Sequence, residues 1–401
     1  MKKKLTLALA LSALLVSCGG NGTANEIDIL IWEDVNNHEL ITDLFANYQS
    51  IYRQNYPDGP ALKLTLQEEQ ESKAVSDLLL QGPSGEGPDI FAFVHDTLAS
   101  AITNELIGEA MFSAEVINNH SVDSVAAFTY NNKLYGYPIT AESQTLMYDK
   151  RKLDANDVTS FENILAKGEK IVLDVADTDS SGYYMFSFLT DADLFGENGT
   201  TPNSFNLDGP LGAENLTKLT KDLRGAITKG TPDSSLAIIS VGEASAVVSS
   251  PYLWPLFKRS VGVENAGIAV IPSVNNNAAR PFSGYKGYGV SRYAKHPHIA
   301  HDIARYLSSE TAQRLRFARL GILPTFVSDE IENAVSKSDE ASVFQTALDA
   351  SIVMPNITQM GSFWAPANDA MTEIWNLAET ATVEKVHNIL TATTATIKSS
   401  F

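Results

Sequence analysis

Three short apolar runs separated by stretches of helical period constrain this chain most. "EIDILIW" (Glu26 to Trp32), "ALKLTL" and "PDIFAFV" each read as a buried strand. Between them, Leu40, Leu44, Phe45, Tyr48 and Ile51 fall on one helical face, and Ser72 to Leu80 suggests a further helix. Strand and helix in alternation give a doubly wound α/β lobe, in which ligands bind beyond the carboxyl ends of the strands. The third run ends abruptly at His95-Asp96, so Asp96 is a carboxylate delivered at a strand end, and Glu142 follows a later strand in the same way.

At 401 residues the chain is too long for one ordinary core and fits two lobes better than one. "NNKLYGYPIT" and "LMYDKRKL" lead from the first lobe into a second, where Tyr148 to Lys150 opens it and "KIVLDV" and "ASAVVSS" are strand-like. The Gly-rich "PFSGYKGYGV" is expected to return the chain to the first lobe, its glycines allowing the backbone freedom of a hinge. "HPHIAHDIARYLSSETAQRLRFARL" reads as an amphipathic helical segment, "GILPTF" as another crossover, and the remainder as mainly helical. The expected division is residues 26–142 plus 288–325 for the N-terminal lobe and 143–287 plus 326–401 for the C-terminal lobe.

"MKKKLTLALALSALLVSC" has the basic start and short apolar run of a secretory signal, too short to span a bilayer as a transmembrane helix. Residues 1–18 are read as that signal. Leu15-Val16-Ser17-Cys18 resembles a bacterial lipobox, in which the cysteine becomes the lipidated first mature residue. Cys18 is the only cysteine, so no intramolecular disulfide can form. Residues 19–25 read as a flexible tether. These features place the protein outside the cytoplasm, anchored to the cell membrane through the lipid on Cys18. A net charge of −19 argues against a nucleic-acid partner.

Four constellations carry residues capable of chemistry. "DTDSSG", Asp177 to Gly182, begins like a calcium loop, but Phe188 stands where a bidentate Glu is needed, so a polar turn is the better reading. His296, His298 and His301 in "HPHIAH" spread around a helix start and suit surface capping better than a metal. No metal and no cofactor is expected. Asp96 and Glu142 could serve as the carboxylate pair of a glycosidase or as acceptors of sugar hydroxyls without reaction. Phe93, Tyr183, Tyr184, Tyr252, Trp254, Phe363 and Trp364 offer rings for stacking on pyranose faces.

"GPDIFAFVHDTLA", "AFTYNNKLYGYPITAESQTLMYDKRKL" and "IVMPNITQMGSFW" resemble, in order and spacing, segments of the bacterial maltose/maltodextrin-binding proteins, within the extracellular solute-binding proteins of sugar ABC transporters. The resemblance runs from about Glu26 to beyond Trp375. It implies a two-lobed, type II periplasmic-binding-protein fold with a multi-strand hinge. It further implies a monomer that delivers a maltodextrin-like oligosaccharide to membrane permease subunits without enzymatic activity.

Residue by residue, the resemblance implies that Asp96 and Glu142 accept sugar hydroxyls. Trp364 and Tyr183, or its neighbour Tyr184, would stack on the sugar, and Met354 would line the cleft. Phe93 and Tyr252 stand where the family has stacking tryptophans, and Thr97 where it has an arginine. The loop after Trp32 lacks the family's sugar-binding lysine, leaving Asp34, Asn36, Asn37 and His38 as polar candidates. These departures leave a different oligosaccharide or a polyol open as ligand, as are a glycoside hydrolase built on Asp96 and Glu142 and a sensory lipoprotein.

Overall fold

The computed structural model describes residues 26–196 and 199–401. The signal, Cys18 and the tether lie outside the described residues. Two separate sheets form the frame. In the first, seven strands include, in spatial order, Ala61–Glu68, Glu26–Glu33, Ile90–Val94, Phe282–Val290, Gly136–Ser143 and Leu323–Pro324, with Ile352–Val353 beside the start of Phe282–Val290. The second has five strands, in the order Ile227–Lys229, Ile171–Leu173, Ala246–Ser249, Thr145–Asp149 and Ala266–Ala269. In each sheet three neighbouring strands run parallel, and antiparallel strands continue the sheet beyond them.

Only Gln144 separates Gly136–Ser143, in the first sheet, from Thr145–Asp149, in the second. The second crossing is less abrupt. Phe282 packs in the core of the second lobe, whereas Tyr285, Tyr288 and Val290 of the same strand pack in the core of the first. The strand pairs with Gly136–Ser143 from Ser283 onward, so the expected division at 287/288 falls inside it. Val94, at the end of the third strand, packs against the second core as well.

The glycines of this strand serve a purpose other than backbone freedom. The strand continues through Gly287, with a bulge at Lys286/Gly287 against Gly136–Ser143, and a Cβ on Gly287 would sit 2.7 Å from the Phe128 ring and 2.8 Å from the Tyr137 carbonyl oxygen. The absent side chains let an aromatic ring lie directly on the sheet. The "HPHIAH…ARL" segment is two helices, Pro297–Leu307 and Glu310–Leu320, because the Ser309 hydroxyl caps the second and interrupts the first. His301 is buried with Nδ1 on the Tyr137 hydroxyl at 2.9 Å, and His296 makes no side-chain cap, which corrects the expectation of surface capping. No cluster of metal-ligating side chains occurs among the described residues.

His95 ties the lobes together. Its Nδ1 accepts from the Tyr285 amide at 3.1 Å, which leaves Nε2 protonated to donate to the Met354 carbonyl at 2.8 Å. Both partners suit the neutral ring, and burial pushes its pKa down from 6.5 to about 4. A depressed imidazole contributes stability that is complete above the unfolded value and is lost as pH falls. The unfolding free energy is therefore expected to drop between pH 6.5 and 4, by up to ~3 kcal/mol from this group alone, read as a falling thermal midpoint. His95→Gln is expected to be less stable at pH 7 but with a shallower pH slope; an unchanged slope would contradict this role.

A second close approach sets the second lobe. The helix Ser181–Met185 lies on Trp364–Asn376, where the Gly182 amide donates to Asn368 Oδ1 at 2.7 Å and a Cβ would meet Ala367 Cβ at 2.9 Å. Gly182→Ala is expected to cost roughly 1–3 kcal/mol in equilibrium unfolding by forcing these helices apart; a neutral substitution would show that the contact can relax.

Candidate functional site

The carboxyl ends of the first-lobe strands face the second lobe across the crossing segments, and the polar side chains gather there. Asp96 lies in the short turn His95–Thr97 directly after Ile90–Val94. Desolvation pushes its carboxyl up to about 6, against the pull of its own and the Thr97 backbone amides. Glu142 projects from the end of Gly136–Ser143. Its Oε1 is 3.2 Å from Lys286 Nζ, while Oε2 is buried and has no hydrogen-bond partner among the described residues.

Lys286 is the cation of this region. Its ammonium also lies 3.4 Å from Glu71 Oε1, on the loop that follows Ala61–Glu68. Burial alone would push the amine down, but Glu142 and Glu71 outweigh it and hold it above the usual lysine range. The sequence reading missed Lys286 and Glu71. The available signal was one lysine within a glycine- and tyrosine-rich strand that is otherwise buried.

Aromatic rings come from the second lobe. Phe282 stacks on Phe186 with centroids 4.1 Å apart, and Phe363 meets both edge-on. These three rings are fully buried. Tyr183 lies over Phe282 at 5.9 Å and beside Trp364 at 6.4 Å, and both rest half-buried on the buried cluster. Burial pushes the Tyr183 hydroxyl up to about 12, with Glu142 and Asp96 adding to the effect and the Ser250 and Gln144 side chains opposing it. A second-lobe phenol thus feels both first-lobe carboxylates. Tyr184 is packed inside the second core, so Tyr183 is the ring of this pair that faces the cleft. Tyr252 is 44% exposed on the turn Pro251–Leu253, within the fields of Glu142 and Lys286.

Other expected residues lie elsewhere. Phe93 is fully buried against Phe91 and Phe128 at 5.2 and 5.3 Å, so it offers no stacking face. The strand Ile90–Val94 is buried on both faces, and alternation within it therefore gives no exposed side. Asp34 accepts from the Asn36 amide and from Asn36 Nδ2, both at 2.8 Å, and so is engaged in capping its own turn. Asn37 and His38 bond the side chain and carbonyl of Glu33. Met354 is buried at the lobe crossing, with its carbonyl on His95. Thr97 donates to the Val94 carbonyl. In "DTDSSG", Thr178 and Ser180 donate to Asp174 at 2.7 and 2.6 Å, forming a polar turn.

The arrangement offers two carboxylates that both act on the Tyr183 hydroxyl, a fixed ammonium and two adjoining aromatic rings. That combination suits a neutral polyhydroxylated ligand, whose hydroxyls need acceptors and whose C–H faces need flat apolar surface.

The profile of bacterial extracellular solute-binding proteins matches residues 52–380. Among curated relatives, the chain is 25% identical over 395 residues to the galactooligosaccharide-binding protein of Bacillus subtilis, covering 92% of this chain and 90% of that one. It is 23% identical to the maltooligosaccharide ABC transporter solute-binding lipoprotein of Streptococcus pneumoniae, with 91% and 90% covered. Among solved structures, the maltodextrin-binding protein of L. casei BL23 shares its fold with a TM-score of 0.80 at 19% identity, covering 93% of this chain and 99% of that one. The fold is the two-lobed type II arrangement, and the chain belongs to the bacterial extracellular solute-binding protein family.

Proposed function

We propose that this protein is the lipid-anchored substrate-binding component of a carbohydrate ABC importer, taking maltodextrin-like oligosaccharides between its lobes and delivering them to membrane permease subunits. The observation that carries the reading is the convergence of Asp96 and Glu142 from one lobe on Tyr183 from the other, beside Trp364. Asp96 and Glu142 accept sugar hydroxyls, and Tyr183, Trp364 and the exposed rim of Tyr252 provide the stacking faces. The lobes are residues 26–142 with 288–325 and 143–287 with 326–401. Each lobe contributes part of the contacts, so ligand favours the closed arrangement by its differential affinity for it. Lipid attachment at Cys18 is supported by the lipobox-like sequence and by the lipoprotein name of the pneumococcal relative. Binding without turnover is supported by relatives named as binding proteins.

A galactooligosaccharide is the second reading, favoured by the Bacillus subtilis relative. Titration of the soluble protein, begun after Cys18, with maltotriose, maltotetraose and β-galactotriose separates the two through tryptophan fluorescence. A saturable response to maltodextrins is expected; a response to the galactoside alone would overturn the maltodextrin assignment but retain the class. Trp364→Ala is expected to lower affinity roughly tenfold or more. No reducing sugar is expected to be released during the titration; release abolished by Asp96→Asn would establish a hydrolase instead.

Ionised Asp96 is the better acceptor, and its carboxyl titrates at about 6 in the free protein. Affinity is expected to hold above that value and to weaken roughly tenfold between pH 7.5 and 5, whereas Asp96→Asn, weaker throughout, is expected to be flat across that range. An identical pH profile in the two proteins would remove Asp96 from the contacts.

A further inference from the structure

Glu142 is held in an unusual way for an acceptor in a cleft. One oxygen is fixed by an ammonium at 3.2 Å, and the other is buried with no partner among the described residues. A buried carboxylate oxygen without a donor is costly, and it is retained where a ligand supplies the donor. The ammonium is fixed in turn by Glu71 on its far side at 3.4 Å, so its position does not depend on Glu142 alone. Tyr183, Tyr184 and Tyr252 of the second lobe all lie within the field of Glu142, and Glu33 stands close enough to Glu71 to be affected by it.

We infer that Lys286 is a positioning residue of the binding cleft: braced by Glu71, it engages Glu142 Oε1, so that Oε2 is presented as the free acceptor for a ligand hydroxyl. This rests on the oligosaccharide-binding reading and adds to it the residue that sets the orientation of one acceptor. It also accounts for a cation in the cleft when the loop after Trp32 carries no lysine. The basic group comes from the central strand Phe282–Val290, where Lys286 pairs with Val94 on one side and with Thr140 on the other, immediately before a bulge at Lys286/Gly287, so it is more rigidly placed than one on a loop.

The test is a double-mutant cycle on affinity for maltotriose, or for β-galactotriose if only that sugar binds, with Lys286→Met, Glu142→Gln and the double variant. Lys286→Met is expected to weaken binding roughly tenfold in the parent and less than about twofold in the Glu142→Gln background. Equal losses in both backgrounds would overturn the inference. Lys286→Arg keeps the charge and is expected to stay within about threefold of the parent, which keeps the test decisive if Lys286→Met folds poorly; a loss as large as that of Glu142→Gln in folded protein would count against a charge-based role.

A ligand-free arm compares crystal structures of the parent and Lys286→Met. The Glu142 carboxylate, 3.2 Å from the Lys286 ammonium in the parent, is expected to leave that position in the variant, and an unmoved carboxylate overturns the positioning role. If the parent binds none of the sugars, the functional reading fails while this arm still decides whether Lys286 governs Glu142.

Discussion

The structure depends on one strand satisfying two cores at once. Phe282 anchors the aromatic cluster of the second lobe, and six residues later Tyr288 is buried in the first, bonded to Glu33 and Arg316. Between them stand Lys286, which pairs with Glu142 and Glu71, and Tyr285, whose amide fixes His95. A strand with these duties cannot slip by one residue without exchanging every inward side chain for an outward one. Its pairing with Ile90–Val94 and Gly136–Ser143 therefore fixes both the lobe crossing and the floor of the site.

The division of labour between lobes follows from that strand. The first lobe offers the carboxylates Asp96, Glu142 and Glu71, each at or near a carboxyl strand end, and the strand that crosses between the lobes adds the ammonium of Lys286. The second offers rings raised on a buried cluster, with Gly182 allowing Tyr183 to sit beside Trp364. Charge without rings would bind hydroxyls with little selectivity for ring shape. Rings without fixed acceptors would bind any flat apolar face. The combination requires both lobes, which is why a ligand in the cleft would be coupled to their closure.

Much of the fold was legible because its strands are apolar and its helices periodic: Glu26–Glu33, Ile90–Val94 and Ala246–Ser249 all fall in runs that read as strands. Asp96, Glu142, Tyr183 and Trp364 were legible through the strand ends and the family motifs. Phe93 misled because a strand buried on both faces carries no periodicity to show which side is solvent. Lys286 was hidden for the opposite reason. Its flanking glycines suggested the backbone freedom of a hinge, whereas Gly287 admits the Phe128 ring onto the strand, a tertiary contact that no local pattern encodes. His95 and His301 likewise depend on partners distant in the chain, Met354 and Tyr137.

The central claim is that an oligosaccharide joins the two lobes. Small-angle X-ray scattering of the soluble protein, with and without saturating oligosaccharide, tests it most directly. The account expects the radius of gyration to fall with the sugar that binds and to stay unchanged with sugars that do not. A tightly bound sugar that leaves the scattering profile unaltered in a protein that is open when free would contradict it.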